Sequence, residues 1–216
     1  MKNVRLYFTK TDRLRFISHL DMNRFMNRAV RRAKLPIWYT EGFNPHPHII
    51  FALPLSLGFE SSYDVVDLRL TDDDIDIDTL CDRLNAVCPE GIHFFDAKEP
   101  VAKIAAVTYA DFEITFADGG ALQNDINALL EKESIICEKK TKKGGIKEID
   151  IKEKLISATL DIADGNTKLT MRLPAGSADN VNPELFINYL FENGAEYYCY
   201  RVVRTSLLDE KQNLFR

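Results

Sequence analysis

The chain has 216 residues, of which 45% are hydrophobic and 28% charged, and its net charge is −5 at pH 7. This length suits one large domain or two of about 100 residues each, with the composition of an ordinary globular protein. The sequence excludes a protein built on transmembrane helices, because no apolar run approaches the roughly 20 residues that a bilayer requires. The N-terminal segment also lacks the apolar stretch of a signal peptide, so we expect a cytoplasmic protein with no membrane partner.

The charge is distributed unevenly along the chain. Residues 1–50 hold ten Lys and Arg against three acidic residues, a net charge of +7, which leaves −12 for the remainder. A basic segment on an otherwise acidic protein indicates a local surface for an anionic partner.

The first elements are β-structure followed by a helix. Residues 4–18 alternate apolar and polar side chains, which predicts a hairpin or one long bent strand. Ser18 can cap the following helix, Asp21 completes a capping box, and Pro36 ends it. The face of this helix opposite its apolar side chains carries arginines at four positions: Arg24, Arg28, Arg31 and Arg32.

These arginines have two interpretations. A solvated helix face is the ordinary one. However, the face has almost no carboxylates to pair with, and like charges three or four residues apart destabilise a helix. An anionic partner would remove that repulsion.

The segment YTEGFNPHPHIIFALPLSLGFESS at residues 39–62 contains two of the four histidines, His46 and His48. As metal ligands they supply too few donors for a stable site, so we predict no metal. As general acid or base they titrate in a useful range, although no nucleophile is visible beside them. The third interpretation is a stiff loop, because Pro45 and Pro47 restrict the backbone and reduce the entropy lost on binding.

Ring side chains accompany these histidines. Tyr39, Phe43 and Trp38 would lie near the arginine face, together with Asn44. Arginines beside stackable rings are typical of single-stranded RNA binding, in which guanidinium groups hold phosphates and rings stack on bases. The alternative is that Trp38 and Phe43 belong to the core.

The remaining elements predict an α+β fold. Residues 48–55 and 61–70 read as strands, residues 75–91 as a helix, and residues 92–97 as a strand, giving a βαββαβ order. After a connector the pattern restarts, with an additional hairpin. We therefore predict two ferredoxin-like units in tandem, at 1–100 and 107–208, the second with an inserted hairpin, and a tail at 209–216.

Two further groups of residues enter these predictions. Lys142 and Lys143, in the turn of the inserted hairpin, are either a further phosphate contact or a solvated tip. The four cysteines show no zinc or cluster spacing, so free thiols and no cofactor are expected: Cys81, Cys88, Cys137 and Cys199.

The first half of the chain resembles the radical-SAM-linked proteins, an uncharacterised bacterial family that occurs alone or fused to radical-SAM, B12-binding-type proteins. The resemblance lies in SHLD, in the arginine helix that ends at LP, in GFNPHP, and in ALPL followed by G and ES. KEIDIKEKL resembles an element of the family's second half. It implies a partner of a radical-SAM enzyme in RNA modification. The chain has no CxxxCxxC, so we do not expect it to be that catalyst itself.

Three functions remain open at this stage. The first is an accessory protein that binds tRNA or rRNA for a separate radical-SAM enzyme and has no catalytic activity of its own. The second is a metal-independent RNA endonuclease using His46, His48 or His19, since the architecture is similar to tandem ferredoxin-like proteins that cleave CRISPR repeats. The third is an adaptor whose arginines dock an acidic protein surface.

Overall fold

A computed structural model describes residues 1–140, 144–177 and 179–216. The chain divides into two compact units. Unit 1 comprises residues 1–107 with 213–216, and unit 2 comprises residues 108–212. Each unit combines a multi-stranded sheet with a few helices, which confirms a mixed α+β protein.

Unit 1 contains four strands and two α-helices. They are β1 (Lys2–Lys10), α1 (His19–Arg32), β2 (Ile49–Phe51), β3 (Glu60–Leu70), α2 (Leu80–Asn85) and β4 (Ile92–Lys98). The strands are antiparallel in the order β4-β1-β3-β2.

The core of unit 1 lies between its sheet and its helices. Alternate side chains of a strand point to opposite faces, so Val4, Leu6 and Phe8 of β1 are buried on one face, together with Val66 and Leu68 of β3. The buried side of α1 belongs to the same apolar cluster. This face of the sheet therefore positions α1.

The opposite face of the same sheet carries an ion pair. Arg5 is fully buried and donates from Nε and Nη2 to the two carboxylate oxygens of Asp67, both at 2.8 Å. Its guanidinium also donates to the carbonyl oxygens of Ala102 and Arg216, and it lies 4.3 Å from the ring centroid of Phe215. One arginine thus holds the segment after β4 and residues 213–216 against the sheet.

The described residues of unit 2 form six strands and three α-helices. They are β5 (Tyr109–Phe116), α3 (Gln123–Leu130), β6 (Ile136–Lys140), β7 (Ile146–Asp150), α4 (Ile151–Lys154), β8 (Ser157–Ala163), β9 (Asn166–Pro174), α5 (Glu184–Glu192) and β10 (Tyr200–Leu208). Four strands form an antiparallel arrangement in the order β10-β5-β9-β8, and β6 pairs with β7 in a separate ribbon.

Three local predictions were wrong in whole or in extent. The helix expected over residues 75–91 extends only over Leu80–Asn85, after a 3₁₀ turn at Ile77–Thr79. Residues 12–16 form a 3₁₀ turn and not the second half of a hairpin or long strand, because Asp12 adopts a left-handed φ of +56° that turns the chain. The strand expected over residues 48–55 extends only over Ile49–Phe51.

Two further features are the apolar character of the helices and the state of the cysteines. Over the described ranges, no helix has both the length and the apolar character needed to cross a membrane. The four cysteines are free, with Cys137 buried and Cys199 exposed.

Candidate nucleic-acid interface

Helix α1 begins as its sequence predicts. The amide of Asp21 donates to Oγ of Ser18 at 3.1 Å, and the same hydroxyl donates to the Asp21 carboxylate at 2.8 Å. These hydrogen bonds satisfy one of the free amides of the first turn. Met22, Met26 and Val30 are buried, so the opposite side of the helix faces away from the core.

All four predicted arginines of α1 are exposed. Arg24 forms a salt bridge with Asp21 at 3.2 Å, in which both side chains are more than half exposed. Within the described ranges, Arg28, Arg31 and Arg32 form no salt bridge with a carboxylate. Three guanidinium groups of this face are therefore available to an anion.

The segment with the two prolines forms a short β-hairpin. The amide of His48 donates to the carbonyl of Trp38, and the amide of Thr40 donates to the carbonyl of His46, both at 2.9 Å. Tyr39 and Pro47 face each other as an isolated bridge. We call residues 38–48 the proline hairpin. The sequence indicated a stiff loop here, and cross-strand hydrogen bonds add to the stiffness that the prolines provide.

The tip of the proline hairpin presents an aromatic ring to solvent. Phe43 is fully exposed, with a relative accessibility of 106%. It follows Gly42, whose φ of +141° lies in a region that a side chain rarely adopts. Asn44 is also exposed. The sequence left open whether Phe43 belongs to the core or contacts a partner. Its full exposure favours contact with a partner.

One contact joins α1 to the hairpin. Arg31 Nε donates to the hydroxyl oxygen of Tyr39 at 3.0 Å, and its guanidinium carbon lies 5.8 Å from the centroid of the Tyr39 ring. The arginine face and the hairpin are therefore neighbours. We call α1 residues 24–32 together with the proline hairpin the basic surface.

The three histidines considered for catalysis are in different environments. His46 is exposed, and its Nδ1 lies 3.0 Å from Oγ1 of Thr40. His19 lies on the α1 side of the sheet, 5.4 Å from Phe51 between ring centroids, with Nε2 3.0 Å from the side-chain amide nitrogen of Asn23. His48 precedes β2 on the other face, since Ile49 and Phe51 contact the core and side chains alternate. The fold does not bring all three together.

Trp38 is half-buried, which fits neither of its two predicted roles fully. The guanidinium carbon of Arg69 lies 4.7 Å from its ring centroid, and the ring of His48 lies 5.6 Å away. Trp38 therefore belongs to a layer of stacked cationic and aromatic groups at the base of the proline hairpin.

A group of buried charged side chains lies beside the turn that leads into α1, and the sequence did not predict it. Lys10, Glu60 and Asp64 are each 2–3% exposed. Lys10 Nζ donates to the carbonyl of Ile17 at 3.1 Å, and Arg15 lies 3.2 Å from a carboxylate oxygen of Glu60. These contacts fix the turn that leads into α1. The only sequence signal was charged residues at inward positions of two apolar strands.

Two predicted contacts and the question of metals remain. Lys142 and Lys143 lie outside the described residues. In the part of the chain that the structure describes, no three His, Cys, Asp or Glu side chains are grouped so that they could hold a metal ion. The arrangement is one of cations and rings, which suits an anionic, base-bearing ligand.

Comparisons with known proteins give a family and little else. Residues 3–183 match the model of a family described as an uncharacterized protein conserved in bacteria (DUF2344). No curated protein matches the chain. Among solved structures, it is similar to the crystal structure of a candidate glycine cleavage system transcriptional repressor, with 9% identity and a TM-score of 0.28 over 94% of this chain and 98% of that chain. A TM-score this low carries no argument about function.

Proposed function

The chain belongs to this bacterial family of uncharacterized proteins, and we propose that it binds single-stranded or looped RNA on the basic surface of unit 1. The observation that supports this most directly is the hydrogen bond between Arg31 and Tyr39. It places Arg31 of α1 beside the Tyr39 ring of the proline hairpin. Phosphate binding and base stacking are then available on one continuous surface.

The electrostatics of α1 support the proposal. Arg28, Arg31 and Arg32 lie within about one turn of each other, and none of them forms a salt bridge with a carboxylate of the described residues. Repulsion between like charges at this spacing is reduced when phosphates bind. The arginines in the last turn of α1 also interact favourably with the negative end of the helix dipole, which offsets part of the repulsion. That interaction alone does not account for the exposed rings nearby.

The strand order adds a second line of support. In both units the four main strands run antiparallel in the order fourth, first, third and second, which is the order of a split βαβ sandwich. We propose that the two units are tandem ferredoxin-like domains. Four-stranded sheets of RRM domains also hold single-stranded RNA through aromatic side chains on one face.

The partner enzyme is the part of the proposal that rests on resemblance alone. Since the motifs of unit 1 resemble those of radical-SAM-linked proteins, we propose that the bound tRNA or rRNA is presented to a separate radical-SAM enzyme. The basic surface would supply affinity, and the enzyme would supply the chemistry.

The test is a fluorescence-anisotropy titration with labelled tRNA and rRNA fragments at several salt concentrations. The informative variant is Arg28→Gln/Arg31→Gln, which removes two charges and retains good helix formers. We expect weaker binding and a salt dependence of log K that is shallower by about 1.4, because each phosphate contact on a single strand contributes about 0.7.

A matched control removes two exposed lysines of unit 2, Lys147→Gln/Lys211→Gln, and so changes the net charge equally. Its affinity should stay close to that of the wild type. An equal loss in both variants would contradict a localised interface. Running the same samples on a denaturing gel tests the endonuclease alternative. If the wild type cleaves the RNA and His46→Ala does not, the protein is an endonuclease and the proposal of a binding protein is wrong. Absence of binding at low salt would favour an acidic protein partner.

A further inference from the structure

A groove lies on the face of the unit 1 sheet opposite α1. Its volume is about 740 Å³, within the range of small-molecule sites. One wall is the sheet, with Asn3, His48, Ile50 and Asp67. The other wall is the segment 99–104 that follows β4. None of these residues has a role in the basic surface except His48, which ends the proline hairpin.

The groove is preformed because both walls are tied to the same buried side chain. Arg5 is hydrogen-bonded to the Asp67 carboxylate and donates to the Ala102 carbonyl at 2.8 Å. It therefore links the sheet to the opposite wall. A ligand entering the groove would not have to order the wall first, which reduces the entropic cost of binding.

His48 is the polar group without an internal partner. Nδ1 of His48 is buried and has no hydrogen-bond partner, and its ring forms no hydrogen bond within the ranges that the structure describes. The ring packs on Trp38, on which Arg69 also stacks. His48 as a whole is partly exposed and lines the groove, so its ring has hydrogen-bonding capacity that a ligand in the groove can use.

The charges on the groove decide the class of that ligand. Lys2 and Lys103 are opposed by Asp67, Asp73 and Glu99. Asp67 is neutralised by Arg5, and Glu99 lies 3.8 Å from Lys2. Asp73 pairs with the N-terminal amino group of Met1, so among the described residues Lys103 is the one lining charge without a salt bridge. Most charges of the groove are thus paired, in contrast to those of the basic surface, and a neutral ring can enter without separating an ion pair. A neutral planar ring with hydrogen-bonding edges suits an imidazole, an amide and an aliphatic side chain.

We infer that this groove binds one unpaired nucleobase of an RNA strand whose phosphates lie on the basic surface. The inference rests on the proposed function and deepens it. The proline hairpin connects the two sites, because His46 lies at its exposed strand and His48 enters the groove two residues later. His48 offers a hydrogen bond to the base edge, and Ile50, which is 44% exposed, offers an apolar contact to its face.

The test uses free nucleosides, which carry a base but no phosphate. Trp38 is the single tryptophan of the chain, so its fluorescence reports on its neighbour His48. Titration with adenosine, guanosine, cytidine and uridine should give a saturable change with at least one of them. Equilibrium dialysis with the same radiolabelled nucleoside measures affinity in variants whose fluorescence differs. His48→Ala should weaken binding about tenfold, as expected for one lost base contact.

Two further variants keep the inference falsifiable. Ile50→Lys places a long charged side chain in the groove without altering His48, and it should also weaken nucleoside binding. Arg28→Gln/Arg31→Gln should bind nucleosides like the wild type while losing affinity for RNA. If no nucleoside binds, or if both groove variants bind it normally, the inference is overturned while the proposed function stands on its own titration. If nucleosides bind but RNA does not, the proposed function fails and the groove remains a nucleoside site.

Discussion

The two units carry the same cross-strand ion pair with its polarity reversed. In unit 1, Arg5 of β1 faces Asp67 of β3 in the strand register. In unit 2, Asp111 of β5 faces Arg172 of β9, with hydrogen bonds of 2.7 and 3.0 Å. Each pair joins two central strands of its sheet, so both units use the same position for the same purpose.

The two pairs differ in burial. The side chain of Arg5 is 0% exposed, and that of Arg172 is 26% exposed. The side-chain bonds of Arg172 beyond Asp111 go to Gln212, whereas Arg5 binds two backbone carbonyl groups of separate segments. The two carboxylates are equally exposed, at 18%, but Asp111 also accepts a hydrogen bond from Oγ of Ser206 at 2.7 Å, so equivalent substitutions of the two arginines should have unequal costs.

The largest expected effect is that of Arg5→Met. The substitution leaves Asp67, which is 18% exposed on the groove wall, without its partner and frees the Ala102 and Arg216 carbonyls. We expect a loss of about 3–5 kcal/mol in the stability of unit 1, the usual cost of breaking a buried pair. Hydrogen exchange followed by mass spectrometry should show the loss in peptides of β1 and β3.

Arg172→Met is the matched control for Arg5→Met. Because Asp111 keeps its hydrogen bond from Ser206 and no backbone carbonyl of the described residues is freed, we expect a smaller cost of about 2 kcal/mol, seen in peptides of β5 and β9. Equal losses in the two units would show that burial does not distinguish the pairs. An undisturbed β1 in Arg5→Met would remove the proposed preformation of the groove as well.

The second contrast concerns the corner between the first strand and the first helix of each unit. In unit 2, Asp118 is 8% exposed and accepts hydrogen bonds from the amides of Gly120, Leu122 and Thr167 and from the Thr167 hydroxyl. Burial by itself would raise the pKa of Asp118, but these hydrogen bonds together lower it below its ordinary value. At the corner of unit 1, Asp12 is exposed and bonded to Thr11.

This contrast predicts that Asp118 makes the stability of unit 2 depend on pH. A carboxylate whose pKa is lower in the folded state stabilises the fold above its unfolded pKa of about 4, and this contribution is lost as the pH falls through the folded pKa. Asp118→Asn should cost about 2 kcal/mol at pH 7 and should flatten the acid dependence of exchange in β5 and β9. Asp12→Asn, which changes an exposed side chain, should leave the stability at pH 7 close to that of the wild type. An unchanged acid profile in Asp118→Asn would assign the dependence to other carboxylates.

The sequence predicted what is determined locally. Ser18 and Asp21 lie three residues apart, so the start of α1 and its arginine face could be derived from spacing alone. Arg5 and Asp67 are separated by 62 residues, and only the strand register makes them partners. The burial of Lys10 and Glu60 was hidden for the same reason, because an isolated charge in a strand is ordinarily read as facing solvent.

The candidate site divides in the same way. The arginines, Tyr39 and Phe43 were identified from residue type and position. The pairing of Trp38 with His48 across the proline hairpin was not predicted, and the groove beside His48 depends on a segment some 50 residues further along the chain. A feature that needs two distant segments cannot be derived from one local pattern.

The smallest expected effect concerns the cap of α1. Ser18 caps this helix through a half-exposed hydroxyl, whereas the buried carboxylate of Asp118 accepts from the amide of Leu122 at the start of α3. Ser18→Ala should therefore cost only about 1 kcal/mol, the usual value for an N-cap, and should speed exchange in the first turn of α1. Ser18→Asp should restore protection, since aspartate is an equally good cap. Because the groove lies on the sheet face opposite α1, nucleoside binding should be unaffected by either change. A loss of stability in Ser18→Ala as large as that of Asp118→Asn would mean that the Ser18 hydroxyl also stabilises the buried charged side chains beside α1.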